Sequence, residues 1–350
     1  MRSIFFFLLI FISISVNAQQ QDEIDKFILN QMSNQKITGL SIGIVKNGKV
    51  IKSRGYGFAN LEHKIPASQN TVYKIGSLSK QLVATGILAL IQSGKISISD
   101  TITKFFYNAP DTWNKITIRH LLNHTSGLVR ESPVFNPMLI QSDSVLIKAS
   151  YKNTLVFATG TQWQYCNLGY FMLADITRQV SGKSFTQFMK EEIFIKNGLT
   201  ATQTTSPTTL IPDRADGYIL AGSDNYLNTM EYIALRPSGA FVSNITDMLK
   251  WEMLMQESKF LSKTNWEKMW TDVVKIDAAN TQTEYYGYGF RVATYKNRPL
   301  VYHGGSLPGF RSTYYRFPAD KTAFIILTNA DHANTTPIAQ GVADILYKNK

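Results

Sequence analysis

Strand-like sequence lies at both ends of this chain, and a long helical stretch lies between them. That arrangement limits its possible folds more than any other feature. Near the start, residues 39–45 and a second run from Val50 flank Lys46-Asn47-Gly48-Lys49. An Asn-Gly pair between two β-rich runs predicts a hairpin, and residues 56–60 extend its second strand. Near the end, residues 288–293, 300–303, 312–317 and 323–327 are rich in aromatic and β-branched side chains. Turns at 296–298 and 318–320 separate them. Helices are predicted over 22–32, before the first strand, and over about 337–347, after the last.

The middle reads as helical. Residues 78–92 place Leu78, Leu82, Val83, Ile87, Leu90 and Ile91 at helical spacing, with Gly94 as the stop. A short helix starts at Thr117, and another covers 168–180 and is closed by Gly182. Ser184 to Gln187 reads as a capping box, and Ser243 or Asn244 caps a helix running to Met255. The expected class is α+β. One antiparallel sheet is built from both chain ends with flanking helices, and a largely helical lobe is inserted into it. The α/β part covers about 19–70 and 236–350, and the lobe about 71–235, within one domain. A cleft is expected between the two parts.

The chain has 350 residues, 44% of them hydrophobic, enough for a substantial core. Arg2 followed by the apolar run 4–12 and the small residues at Val16-Asn17-Ala18 reads as a secretory signal peptide over 1–18. The run is short for a membrane span, which takes roughly 20 residues, so no stable membrane anchor is expected after cleavage. An exported, periplasmic or secreted protein is therefore expected. Cys166 is the single cysteine, which leaves no internal disulfide. The net charge of +11 is scattered rather than clustered, which argues against nucleic acid as a partner.

Three short segments carry chemistry. Ser77-Leu78-Ser79-Lys80 opens an amphipathic helix, and residues three apart share a helix face. A serine in the first turn faces free N–H groups and the positive dipole end, and a desolvated lysine beside it can accept its proton. Ser79 is the weaker nucleophile, because Leu82 stands three positions on. Tyr165-Cys166-Asn167 precedes a helix; the tyrosine could shuttle a proton if cationic neighbours lowered its pKa, and the asparagine could donate to a substrate carbonyl. His303-Gly304-Gly305-Ser306 ends a predicted strand, where paired glycines let a substrate backbone approach. The Ser306 N–H could join that of Ser77 as an oxyanion hole. Each segment also has a plain reading: a capping serine, a packed tyrosine with a capping asparagine, and a turn.

Together with residues 73–76 and Ile116-Thr-Ile-Arg-His-Leu-Leu-Asn-His-Thr-Ser-Gly-Leu128, these segments resemble the penicillin-recognising serine hydrolases of the class C β-lactamase and D-alanyl-D-alanine carboxypeptidase type. That family includes esterases and D-amino-acid peptidases, and the resemblance covers nearly the whole chain after residue 18. It implies a β-lactamase/transpeptidase-like fold, with Ser77 acylated and Lys80 and Tyr165 as the proton-transfer pair. It also implies Asn167 on the substrate carbonyl, and His303 and Gly305 on the edge that pairs with substrate. Residues 119–127 are read as structural. The expected partner is a small-molecule or peptide substrate, with cell-wall material a candidate, and no cofactor or metal is expected. One departure matters: dedicated β-lactamases usually carry lysine where this chain has His303. A histidine near its reference pKa of roughly 6.5 is charged only about a quarter of the time at pH 7. Arg311 is the cation that could replace it. The alternative is a catalytically idle binding or sensing module, although all three reactive residues are kept. An α/β-hydrolase would need a Gly-x-Ser-x-Gly elbow and a zinc protease a His-Glu-x-x-His; the sequence has neither.

Overall fold

A computed structural model describes residues 22–206, 208–230, 237–239, 241–276 and 283–348. The signal-peptide reading of residues 1–18 lies outside them. Among the described residues, nine strands form one sheet: β1 (Gly39–Lys46), β2 (Lys49–Asn60), β3 (Ile65–Pro66), β4 (Val274–Ile276), β5 (Glu284–Tyr286), β6 (Arg291–Tyr295), β7 (Arg298–Leu307), β8 (Phe310–Phe317) and β9 (Thr322–Thr328). Their spatial order is β3-β2-β1-β9-β8-β7-β6-β5-β4, and the pairings are antiparallel. The two ends of the chain meet where β1 pairs with β9, with Ile42 opposite Ile326.

Local chemistry explains the hairpins. Asn47 and Gly48 both take positive φ (52° and 74°), the conformation a two-residue turn between twisted strands requires. Lys296 and Asn297 do the same (46° and 64°) between β6 and β7. β1 is buried on both faces, so its residues divide by parity. Leu40, Ile42 and Ile44 pack with Ile24 and Ile28 of the Glu23–Gln35 helix and Ile338 and Val342 of the Thr335–Tyr347 helix. Val45 joins the larger core beneath the opposite face, with Leu249 of the Ile245–Gln256 helix and the helices of the chain's middle.

Several expectations shift by a few residues. Strand β6 begins at Arg291 rather than 288, because Gly289 (φ 76°) lies in a turn closed by Gly287 N–H donating to Phe290 O at 2.8 Å. Strand β7 runs on through His303 to Leu307 instead of ending at 303. Ser184 accepts from Gln187 N–H at 3.1 Å, giving half of the expected capping box, and its helix spans only Phe185–Phe188 before a π-helical turn.

One charge pair is sealed in the core. Arg316 on β8 donates to Glu252 of the Ile245–Gln256 helix at 2.6 Å, and Tyr314 donates to the same carboxylate. Both charged side chains are buried. Removing one partner leaves an uncompensated buried charge, which costs on the order of 3–5 kcal/mol. Glu252→Ala is therefore expected to lower the urea midpoint sharply, and Glu252→Leu combined with Arg316→Met should recover most of that loss. A Glu252→Ala variant within about 1 kcal/mol of the parent would show that the pair is not needed.

Candidate active site

Ser77 does not sit in the first α-helical turn. It is the middle residue of a one-turn 3-10 helix, Gly76–Leu78, that runs directly into the Ser79–Gln92 helix. Gly76 takes φ 54°, and a Cβ there would come within 2.7 Å of the Ser306 nitrogen. Strand β7 approaches the same turn at Gly305, where a Cβ would lie 2.1 Å from Ile75 O. Ser312 of β8 donates to that carbonyl at 2.9 Å. Glycine is needed at both positions because two backbones meet there. Beyond Tyr302, no described strand pairs with β7 on the side away from β8, so residues 303–307 present a free edge.

Lys80 lies one turn on, on the same face as Ser77, with its side chain fully buried. Its Nζ donates to Asn167 Oδ1 at 2.8 Å and to Ser238 O at 2.9 Å, and stands 3.4 Å from Ser77 Oγ. The rings of Tyr165 and Tyr170 flank it, with centroids at 4.6 and 5.3 Å. Burial pulls its pKa down to about 7; Glu131 and Cys166 oppose that fall and Arg130 adds to it. At neutral pH a lysine of that kind is a free amine roughly half the time.

Tyr165 is half-buried and hydrogen-bonded to Ser77. Its neighbours do not lower its pKa overall. Burial, the largest influence, holds the phenol above its usual range despite Ser77, Arg291 and Arg130. The side chain is therefore a phenol at neutral pH, not a phenolate. Asn167 is the first residue of the Asn167–Ser181 helix, and the cap is Cys166, whose Sγ accepts from Gly169 N–H at 3.4 Å. The Asn167 Nδ2 donates to Glu131, so its oxygen faces Lys80.

His303 needs correction. Its Nδ1–H donates to Gly304 O at 2.6 Å, which leaves Nε2 to accept from Tyr286 OH at 3.0 Å. Burial, then the charge of Lys80, push its pKa down to about 3. The ring is neutral at pH 7, with no charged fraction to offer a carboxylate. Arg311 does not replace it: its Nη1 is held by Asp331 at 2.9 Å and by the carbonyls of Leu307 and Phe310. Residues 119–127 act as framework. Arg119 pairs with Asp272, and His120 Nδ1 accepts the Thr117 N–H at 3.1 Å. His124 is buried against Tyr165, Tyr170 and Tyr286 and kept neutral chiefly by that burial.

A cleft of about 920 Å³ opens over Ser77, Tyr165 and the free edge of β7. Two cations that the sequence reading missed, Arg130 and Arg291, line it. Arg130 stands 5.6 Å from the Tyr165 ring, and Arg291 stands 5.6 Å from the Trp163 ring while paired with Glu284 at 2.8 Å. The spacing of Trp163 and Tyr165 at i and i+2 was a usable signal for one wall. Nothing local pointed to Arg291.

The antiparallel sheet closed by both chain ends, with its flanking helices, is a fold shared with solved penicillin-binding proteins. The chain belongs to the Beta-lactamase family, whose model matches residues 24–347. It is 27% identical over 310 residues to one of the penicillin-binding proteins of Bacillus subtilis (strain 168), covering 82% of this chain and 67% of that protein. It is 28% identical over 330 residues to Protein flp of Staphylococcus aureus (strain N315), covering 88% and 63%. The chain thus spans about two thirds of the length of these curated relatives. Among solved structures, the octameric penicillin-binding protein homologue from Pyrococcus abyssi superposes with TM-score 0.84 at 26% identity, over 93% of this chain and 77% of that one. The D-amino acid amidase from Ochrobactrum anthropi SV3 shares the fold with TM-score 0.83 at 21% identity, over 93% and 99%.

Proposed function

We propose that this chain is an exported serine hydrolase that works through an acyl-enzyme on an amide or ester carbonyl. The observation that carries this reading is the buried Lys80 amine, within reach of Ser77 Oγ and titrating near neutrality. In the proposed reaction, neutral Lys80 takes the Ser77 hydroxyl proton as Oγ bonds to the carbonyl carbon. The oxyanion rests between the N–H groups of Ser77 and Ser306. When the C–N or C–O bond breaks, the Tyr165 phenol protonates the leaving group and recovers its proton from the Lys80 ammonium. Water then releases the acyl group by the same relay in reverse. The apolar run and small residues before Gln19 support export.

Esters and D-amino-acid amides or peptides fit this cleft better than β-lactams. A β-lactam brings a fixed carboxylate, but the residue at 303 is neutral and Arg311 is already paired. A lost hydrogen bond to a charged group is worth on the order of 1.5–3 kcal/mol, about tenfold to a hundredfold in efficiency. Comparing kcat/KM on short-chain chromogenic esters, D-amino-acid amides and a cephalosporin tests this. The cephalosporin is expected to be slower by that factor. A cephalosporin turned over faster than the others would overturn the preference and direct attention to Arg130 as the carboxylate's partner.

A further inference from the structure

We propose that Glu131 is a positioning residue of this site, orienting Asn167 and through it the Lys80 amine that faces Ser77. The inference rests on the Ser77–Lys80 reading above. Glu131 is held beside Asn167 by backbone. The carbonyl of Arg130 accepts the N–H groups of Asn167 at 2.9 Å and Leu168 at 3.1 Å, and that of Val129 accepts from Cys166 Sγ at 3.3 Å. One Glu131 oxygen accepts from Asn167 Nδ2; the other is buried, with no hydrogen-bond partner among the described residues. A carboxylate only accepts, so the Asn167 nitrogen must face it, and the Asn167 oxygen is then turned to Lys80 Nζ. One Asn167 N–H is thereby committed, leaving the other for a substrate carbonyl. Glu131 does not line the cleft, so it acts from behind the reacting groups.

The same carboxylate holds a proton on Lys80. The groups facing Lys80 are Glu131, Arg130 and His124 from the 124–131 segment, Tyr165, Cys166, Asn167 and Tyr170 around the start of the next helix, and His303 from β7. His124 and His303 are neutral, Arg130 repels the ammonium, and Cys166 is a thiol because burial raises its pKa to about 11. Glu131 is the largest of the influences favouring the ammonium against burial. Without its charge, Lys80 would lose its proton at lower pH.

The test is the rate of fluorophosphonate labelling at Ser77 across about pH 5 to 9, which reports the essential base of the free enzyme. Glu131→Gln keeps an acceptor for Asn167 and removes the charge. Its acid limb is expected to move down by about one pH unit, with the rate on the plateau within about threefold of the parent. Glu131→Leu, which also frees Asn167, should lose roughly tenfold across the whole range. Because Glu131→Leu also removes the charge, its limb should move in the same direction, and it decides the matter if the Gln variant does not fold. A folded Glu131→Gln or Glu131→Leu whose limb coincides with the parent's overturns the proposal, because a merely structural role lowers the rate without moving the limb. A parent protein that is not labelled at Ser77 at any pH overturns the Ser77–Lys80 reading itself, and this inference with it.

Discussion

Ser77→Ala is expected to abolish turnover of every substrate this protein accepts, by at least roughly a thousandfold, because Ser77 carries the hydroxyl that stands beside both the Lys80 amine and the Tyr165 phenol. Ser79→Ala is the informative contrast. The Ser79 hydroxyl is buried and accepts the Phe241 N–H at 3.2 Å, so it is already engaged in the framework. Its loss should cost about 1 kcal/mol of stability and leave most of the activity. Intact-mass analysis with a fluorophosphonate or a slowly acylating β-lactam should show one adduct on the parent protein and on Ser79→Ala, and none on Ser77→Ala. An adduct persisting on Ser77→Ala would refute the assignment.

Lys80→Ala and Tyr165→Phe should each slow acylation by roughly a hundredfold to ten-thousandfold. The proposed relay joins both residues, so the double variant should be little worse than the poorer single one. The parent's acylation rate should rise with pH through about 7, where Lys80 becomes a neutral amine, and this limb should vanish in Lys80→Ala. Single-turnover rates of the four proteins decide the point. Fully additive losses would mean that the two side chains do not share a proton. Because Lys80→Ala strips a donor from Asn167 Oδ1 and Ser238 O, melting curves should accompany the kinetics.

What could be read from sequence follows from how far each interaction reaches along the chain. The Asn47-Gly48 and Lys296-Asn297 turns, the closure of a helix at Gly182, and the Ser77–Lys80 spacing all depend on neighbours, and the structure has each where sequence places it. The groups that hold the Lys80 amine are distant: Asn167 is 87 positions away and Ser238 is 158. Glu131 meets Asn167 across 36 positions, and the tyrosine that caps the His303 ring is 17 away. No local pattern encodes such meetings. The reference charge assumed for His303 failed for that reason, as did the lowered pKa sought for Tyr165; burial decides both. Strands as short as β4 and β5 carry too few alternating positions to register as a pattern.

The pairing of β1 with β9 also sets a timetable. A ribosome delivers the strand at 39–46 long before the one at 322–328, so the earlier strand has to wait for its neighbour until almost all the described chain has been made. Contacts that span so much sequence are slow to form, and half-built sheets expose strand edges in the meantime. The free edge of β7 beside Ser77 belongs to the same late-arriving part. A nascent chain that already carries Ser77 and Lys80 therefore lacks one wall of the cleft beside them. The cleft over Ser77 is complete only once the last strands are in place.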